Sequence, residues 1–176
     1  MNLISKMIHP DLTSTEGNVF KRQAARGIVL RDESILLLFT ERYNDFSFPG
    51  GGVDPDEDIV AALARELNEE TGARDVRVKH HYGYIEELRP YWKPEFDLMH
   101  MTSHFFVCDI APELEAAKME HYEIDNGMKP VWVKLHDALR HNREVMKRQD
   151  KSMGQSIQRE TFMLDRVATE FLAVGA

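Results

Sequence analysis

Near the middle of the chain, Arg65-Glu66-Leu67-Asn68-Glu69-Glu70 places three carboxylates and one guanidinium within a single short segment. Read as a helix at about 100° per residue with Ile59 at zero, Val60, Leu63 and Leu67 make an apolar stripe between about 40° and 100°. Glu70 falls near about 20°, inside that stripe, with Glu66 near about 340° and Glu69 near about 280°. A solvated acidic face would instead lie opposite the stripe. Three acids at i, i+3 and i+4 repel one another and need positive charge. Arg65, at about 240°, reaches Glu69 from the outer side but cannot neutralise three acids. A divalent cation can. Oxygen-only ligands, with no His or Cys at metal spacing, favour Mg²⁺ or Mn²⁺ over Zn²⁺.

The elements around this segment follow from punctuation and periodicity. Residues 54–71 read as a helix, with Asp54, Pro55 and Glu57 as N-cap, N1 and N3, and Gly72 as the stop. Gly50-Gly51-Gly52 precede it. Residues 24–30 and 34–40 read as a β-hairpin, and 46–48 as a short extended piece ended by Pro49. Strands are expected at 76–86, with Val76, Val78, His80, Tyr82 and Tyr84 on one face, and at 100–110 and 130–134. Residues 88–98 read as a loop, and 111–129 as an irregular charged stretch with a short helical piece. Residues 135–148 and 157–172 read as amphipathic helices. Residues 1–20 read as an N-terminal arm with little regular structure, and 135–176 as the C-terminal helices of one domain, 1–176.

The 176 residues, 43% of them apolar and 30% charged, describe an ordinary globular chain. One cysteine, Cys108, excludes an internal disulfide. The N-terminus lacks a secretory pattern and the longest apolar run, residues 35–39, is too short for a bilayer, so a cytoplasmic protein without a membrane partner is expected. A net charge of −8 argues against a long nucleic acid as partner. It leaves room for a small anionic substrate brought in by a cation.

Gly51, Glu57, Arg65-Glu66-Leu67, Glu69-Glu70 and Gly72-Ala73 fit the pattern G-x5-E-x7-R-E-U-x-E-E-x-G-U, with U bulky or apolar; only Ala73 is undersized. This is the Nudix box, and the chain resembles the Nudix hydrolase family. The strict match covers residues 51–73. Phe48-Pro49-Gly50-Gly51 and the late Pro130-Val131-Trp132-Val133 extend the likeness more loosely. The resemblance implies an α+β fold, an α/β/α sandwich around a mixed β-sheet. It implies metal held by Glu66, Glu69 and Glu70 with the Gly50 carbonyl, and Arg65 and Glu57 orienting those carboxylates; a plain surface ion pair is the other reading of Arg65. The implied reaction is Mg²⁺-dependent hydrolysis of a nucleoside diphosphate linked to another group. The general base is either a box glutamate or a later loop glutamate. Among Glu113, Glu115, Glu120, Glu123 and Asp125, Glu123 is favoured as the glutamate nearest the late strand.

Substrate hints conflict. A proline after the box is typical of ADP-ribose hydrolases and a tyrosine of dinucleoside-polyphosphate hydrolases, and Pro90 and Tyr91 are adjacent. Tyr43, Phe46, Tyr84, Tyr91, Trp92 and Phe96 are aromatic candidates for stacking on a base, or for core packing. Oxidised (d)NTPs or non-nucleoside diphosphates are rival substrates. A non-catalytic nucleotide sensor is a third reading, disfavoured by the intact box. The histidines His80, His81, His100 and His104 read as sheet or surface residues. The basic residues Arg140, Arg143, Lys147, Arg148 and Lys151 read as a solvated helix face. Many family members are homodimers, and the last helix is the element that would serve such a contact.

Overall fold

Ile35-Leu36-Leu37-Leu38 is buried on both faces of its strand, as expected of a strand lying between two layers. Ile35 and Leu37 face one core and Leu36 the other. The computed structural model describes residues 2–172. Its strands are β1 (Leu3–Ile8), β2 (Val19–Ile28), β3 (Leu30–Arg31), β4 (Ser34–Thr40), β5 (Asp45–Ser47), β6 (Gly50–Gly52), β7 (Arg77–Arg89), β8 (Leu98–Asp109) and β9 (Met128–Lys134). Its helices are α1 (Ile59–Thr71), α2 (His121–Asp125), α3 (Leu135–Arg148) and α4 (Ile157–Val167), the last running into a π-helical turn, Ala168–Leu172.

One sheet is mixed, ordered β1-β7-β8-β2-β6, with β1 parallel to β7, β8 parallel to β2, and the other pairs antiparallel. The second sheet centres on β4, paired antiparallel with β9 along one edge and with β3 and β5 along the other. The α1 side of the layers closes over Ala25, Val29, Leu36, Leu63, Leu67 and Phe106. The α3–α4 side closes over Ile28, Ile35, Leu37, Phe105, Leu139 and Leu164. Helices on both sides of β layers make the expected α/β/α sandwich of α+β class. Among the described residues, no helix is long and apolar enough to cross a membrane.

Several local expectations need correction. The N-terminal arm holds a strand: β1 finds its hydrogen bonds along the edge of β7, and Ile4 and Met7 pack on the core. The hairpin is shorter than its apolar runs imply. β2 belongs to the mixed sheet, and only β3 turns back on β4, through Asp32 at φ 52°. The helix begins at Ile59, capped by Asp58, whose carboxylate accepts from the Val60 and Ala61 N–H groups at 3.1 and 3.0 Å. Asp54–Glu57 forms its own turn, and Asp56 at φ 65° prevents the helix from passing through it. β7 runs on to Arg89. Bulges between Val78 and His80 and between His81 and Gly83 reset its alternation, so Ile85 and Glu87 are the buried residues at its far end. Residues 173–176 of the expected C-terminal helices lie outside the described residues.

Candidate active site

The site is assembled from a strand of three glycines, one helix and one late loop. β6 runs antiparallel to β2, pairing Gly50 with Arg26 and Gly52 with Ala24. Gly50 takes φ 143°, and a side chain there would collide with the Ala25 carbonyl. At Gly51 a methyl group would stand 2.6 Å from the Glu66 carboxylate. Close approach of this strand to α1 therefore requires glycine, and it brings the backbone directly under the acids.

Burial follows the helical geometry. Glu70 is 4% exposed, the Glu66 side chain 14% and the Glu69 side chain 35%. Arg65 is the hub. Its Nε and Nη2 donate to the two Glu57 oxygens at 2.9 and 3.1 Å, and its Nη1 donates to Glu66 at 2.8 Å and to Glu69 at 3.5 Å. Nη2 also reaches the Gly52 carbonyl at 3.3 Å. Sequence spacing pointed Arg65 at Glu69; the structure ties it most closely to Glu57 and Glu66. The Arg65 hydrogen bond holds Glu57 below the usual carboxylate range. Glu66 is pushed up by burial, with Arg65 opposing the shift.

Glu70 accepts from the Gly50 N–H at 2.7 Å. Burial, chiefly, drives its pKa well above the ordinary range; the Gly50 hydrogen bond opposes this, and the charges of Glu123 and Glu66 add to it. Glu123 is 5% exposed and sits at N3 of α2, where its Oε2 accepts from the Glu120 N–H at 2.8 Å. The late loop thus delivers Glu123 beside Glu66 and Glu70, while Glu115 pairs instead with Arg74 at 3.4 Å. Glu57, Glu66, Glu70 and Glu123 line a cavity of about 930 Å³ together with Phe20, Lys21 and Tyr91, whereas Glu69 stands outside its lining. Of the six aromatic candidates, Tyr91 lines this cavity, stacked on Phe20 with centroids 4.7 Å apart, and Tyr43 lines a second one. Trp92 is 79% exposed, Phe46 packs against Phe39 and His141, Tyr84 lies against His104, and Phe96 packs edge-on to Phe20.

Among the described residues, no three His, Cys, Asp or Glu side chains stand close enough together to hold a metal ion as they are placed. Arg65 occupies the space between Glu57, Glu66 and Glu69. The donor set still fits a hard divalent cation, because it is all oxygen and its buried members lack sufficient counter-charge. An open set of carboxylates completed by water and substrate oxygens is the habit of Mg²⁺.

Sequence reasoning missed a second charged constellation. Arg159 of α4 binds Glu87 and Glu160, and Arg26 lies 3.8 Å from Glu160. One signal was available: Arg26 interrupts the apolar run Ala24–Leu30, and Arg22, four residues earlier in an extended strand, shares its face.

The NUDIX domain profile matches residues 21–154, and the chain belongs to the NUDIX family. Members of the family generally use a divalent metal. The chain is similar to diphosphoinositol polyphosphate phosphohydrolase 3-alpha of Mus musculus, 30% identical over 111 residues, 62% of this chain and 60% of that protein. It also resembles the RNA pyrophosphohydrolase of Pseudomonas putida F1, 46% identical over 48 residues, 26% of this chain and 30% of that protein. The chain spans about 60% of the length of the diphosphoinositol relatives it matches. Among solved structures, the MutT protein from Methanosarcina mazei Go1 shares the fold, with TM-score 0.55 and 17% identity, covering 89% of this chain and 100% of that one.

Proposed function

We propose that this protein is a Mg²⁺-dependent pyrophosphohydrolase that cleaves the diphosphate linkage of a nucleoside diphosphate derivative. The observation that carries the reading is the convergence of Glu66, Glu70 and Glu123 on one cavity floored by Gly50–Gly52, with Glu69 tied in behind them through Arg65. Glu66, Glu69 and Glu70, with the backbone at Gly50, would hold Mg²⁺. The bound ion would neutralise the diphosphate oxygens and acidify the attacking water. Arg65 fixes Glu66 and Glu57, so the carboxylates keep their orientation without substrate. Glu123 is anchored by the Glu120 N–H through Oε2, which leaves Oε1 to take the proton from water as general base; the Tyr122 hydroxyl, 3.4 Å away, donates to the same oxygen. Lys21 and Tyr91 also line the cavity and would receive the rest of the substrate.

A second reading keeps the chemistry and changes the substrate to a diphosphate on a polyphosphorylated non-nucleoside. The names of the diphosphoinositol relatives favour it. One experiment separates the two. ADP-ribose, diadenosine polyphosphates, (d)NTPs, 8-oxo-dGTP and a diphosphoinositol polyphosphate are incubated with protein and Mg²⁺, and products are identified by mass spectrometry. Glu70→Gln should lower kcat by at least about a hundredfold while the protein stays folded. EDTA should stop turnover and Mg²⁺ restore it. A Glu70→Gln enzyme within a few-fold of wild type, or full turnover in EDTA, would remove the metal site from the acids named here.

A further inference from the structure

A second cavity, of about 550 Å³, adjoins the first and shares Gly50–Gly52, Glu70, Tyr122 and Glu123 with it. Its charged wall is arginine. Arg22 and Arg26 come from one face of β2, Arg89 from the end of β7 and Arg159 from the start of α4. The acids that answer them are few. Arg159 is bound to Glu87 and Glu160, and Arg26 leans on the same Glu160, whose other oxygen accepts from the Phe48 N–H at 3.1 Å. Among the described residues, Arg22 and Arg89 form no ion pair. Four arginines therefore share two glutamates, while of the acids on the common rim Glu70 would hold the cation and Glu123 would serve as the base.

The shortage shows in the atoms. The Nε groups of Arg26, Arg89 and Arg159 are buried without a hydrogen-bond partner, and Arg159 itself is 2% exposed. Burial, and then the charge of Arg159, bring Arg26 down to about 10. Arg89 is lowered as well, by burial first and then by Arg159 and Arg22. Buried cations without full compensation are costly unless an anion completes them. The Arg22 guanidinium lies across Gly52, where a side chain would stand 2.6 Å from its Nη2, so it bridges the passage between the two cavities. Planar guanidinium forks match phosphate oxygens in paired hydrogen bonds, which a lysine cluster would not do.

We propose that this arginine-lined cavity is a phosphate subsite, taking a phosphate group of the substrate other than the diphosphate cleaved at the acids. Naming the ligand as substrate rests on the hydrolase reading; the binding of phosphate does not. The test is made first without metal. The full chain in EDTA, at constant ionic strength, is titrated with inorganic pyrophosphate by calorimetry, with chloride as the control salt. One saturable site is expected, weakened at least tenfold in Arg22→Gln and in Arg89→Gln and unchanged in Arg140→Gln, which alters an exposed arginine on α3. Arg22 is exposed, so its variant folds whether or not the Arg89 variant does. Non-saturable binding, or binding equal in wild type and Arg22→Gln, would overturn the proposal. In the second arm, a hydrolysed substrate bearing an extra phosphate is compared with its analogue lacking it. Arg89→Gln should raise KM for the first by about tenfold, leave KM for the second, and leave kcat for both. Pyrophosphate binding without hydrolysis of any compound would fell the enzymatic reading and leave the subsite standing. Hydrolysis with no KM difference would do the reverse.

Discussion

Glu66 owes its position to two neighbours with opposite demands. Arg65 pulls it with a 2.8 Å hydrogen bond, and Gly51 makes room for its carboxylate. Gly51→Ala removes the room and keeps the pull. The methyl group would overlap the carboxylate, and Glu66 must rotate away from β6. Misplacing a group by about 1 Å costs roughly a hundredfold in rate, so kcat/KM should fall by about that factor while the melting temperature stays within a few degrees. Steady-state kinetics beside a thermal melt checks both; a fully active variant would show that Glu66 works from another position. Asp45 illustrates a different single-residue effect. Burial, and then the charge of Glu160, raise its pKa to about 6, from an ordinary value of about 3.9. The native state thus holds this proton more tightly than the unfolded chain does. The destabilising effect is absent below about pH 4, grows between about 4 and 6, and is complete above about 6. Asp45→Asn should accordingly stabilise the protein by up to about 3 kcal/mol at pH 7.5 and leave it unchanged near pH 3.5. Urea unfolding at the two pH values measures this, and an equal effect at both would show that ionisation is not the cause.

Elements differ in how openly the sequence announces them, and the difference has a physical origin. α3 spans the residues its periodicity predicts, because Leu135, Ala138, Leu139 and Val145 form an apolar stripe, interrupted by the buried Asn142, which pairs with the Phe46 backbone. β1 was hidden because a six-residue strand at a sheet edge draws its stability from β7, whose paired residues lie about eighty positions away in the sequence, and not from its own pattern. β6 was hidden because three glycines carry no strand propensity; they form a strand only because β2 offers them partners. The start of α1 was misplaced for a subtler reason. Asp54 and Glu57 do exchange hydrogen bonds in the manner of a capping box, but around a turn. The working cap is Asp58, so Asp58→Ala should lower stability by about 1 kcal/mol, read from the urea midpoint, whereas Asp54→Ala should cost only a few tenths. The reverse order would return the N-cap to Asp54.

At the scale of the whole molecule, the acids and the arginines reached the sequence reader unequally. Glu66, Glu69 and Glu70 were legible as a site because they lie on one helix, where a fixed angle per residue converts spacing into geometry. Arg26, Glu87, Arg159 and Glu160 come from β2, β7 and α4, and no local period relates them. Only the closing of the mixed sheet against α4 brings them together, so they both depend on that packing and hold it in place. Arg159 and Glu87 are nearly inaccessible to water, at 2% and 8% side-chain exposure. Glu87→Gln would leave Arg159 and Arg26 to share Glu160 alone in a poorly solvated place, and breaking such a pair typically costs about 3–5 kcal/mol. The double variant Glu87→Leu, Arg159→Met removes both charges, replaces them with apolar groups of similar length, and should recover most of that loss. Urea unfolding of the two variants, with the slope checked for two-state behaviour, gives the comparison. A double variant no more stable than Glu87→Gln would mean that the sheet is fastened to α4 by Arg159 itself, through Glu160, and not merely spared an unpaired charge.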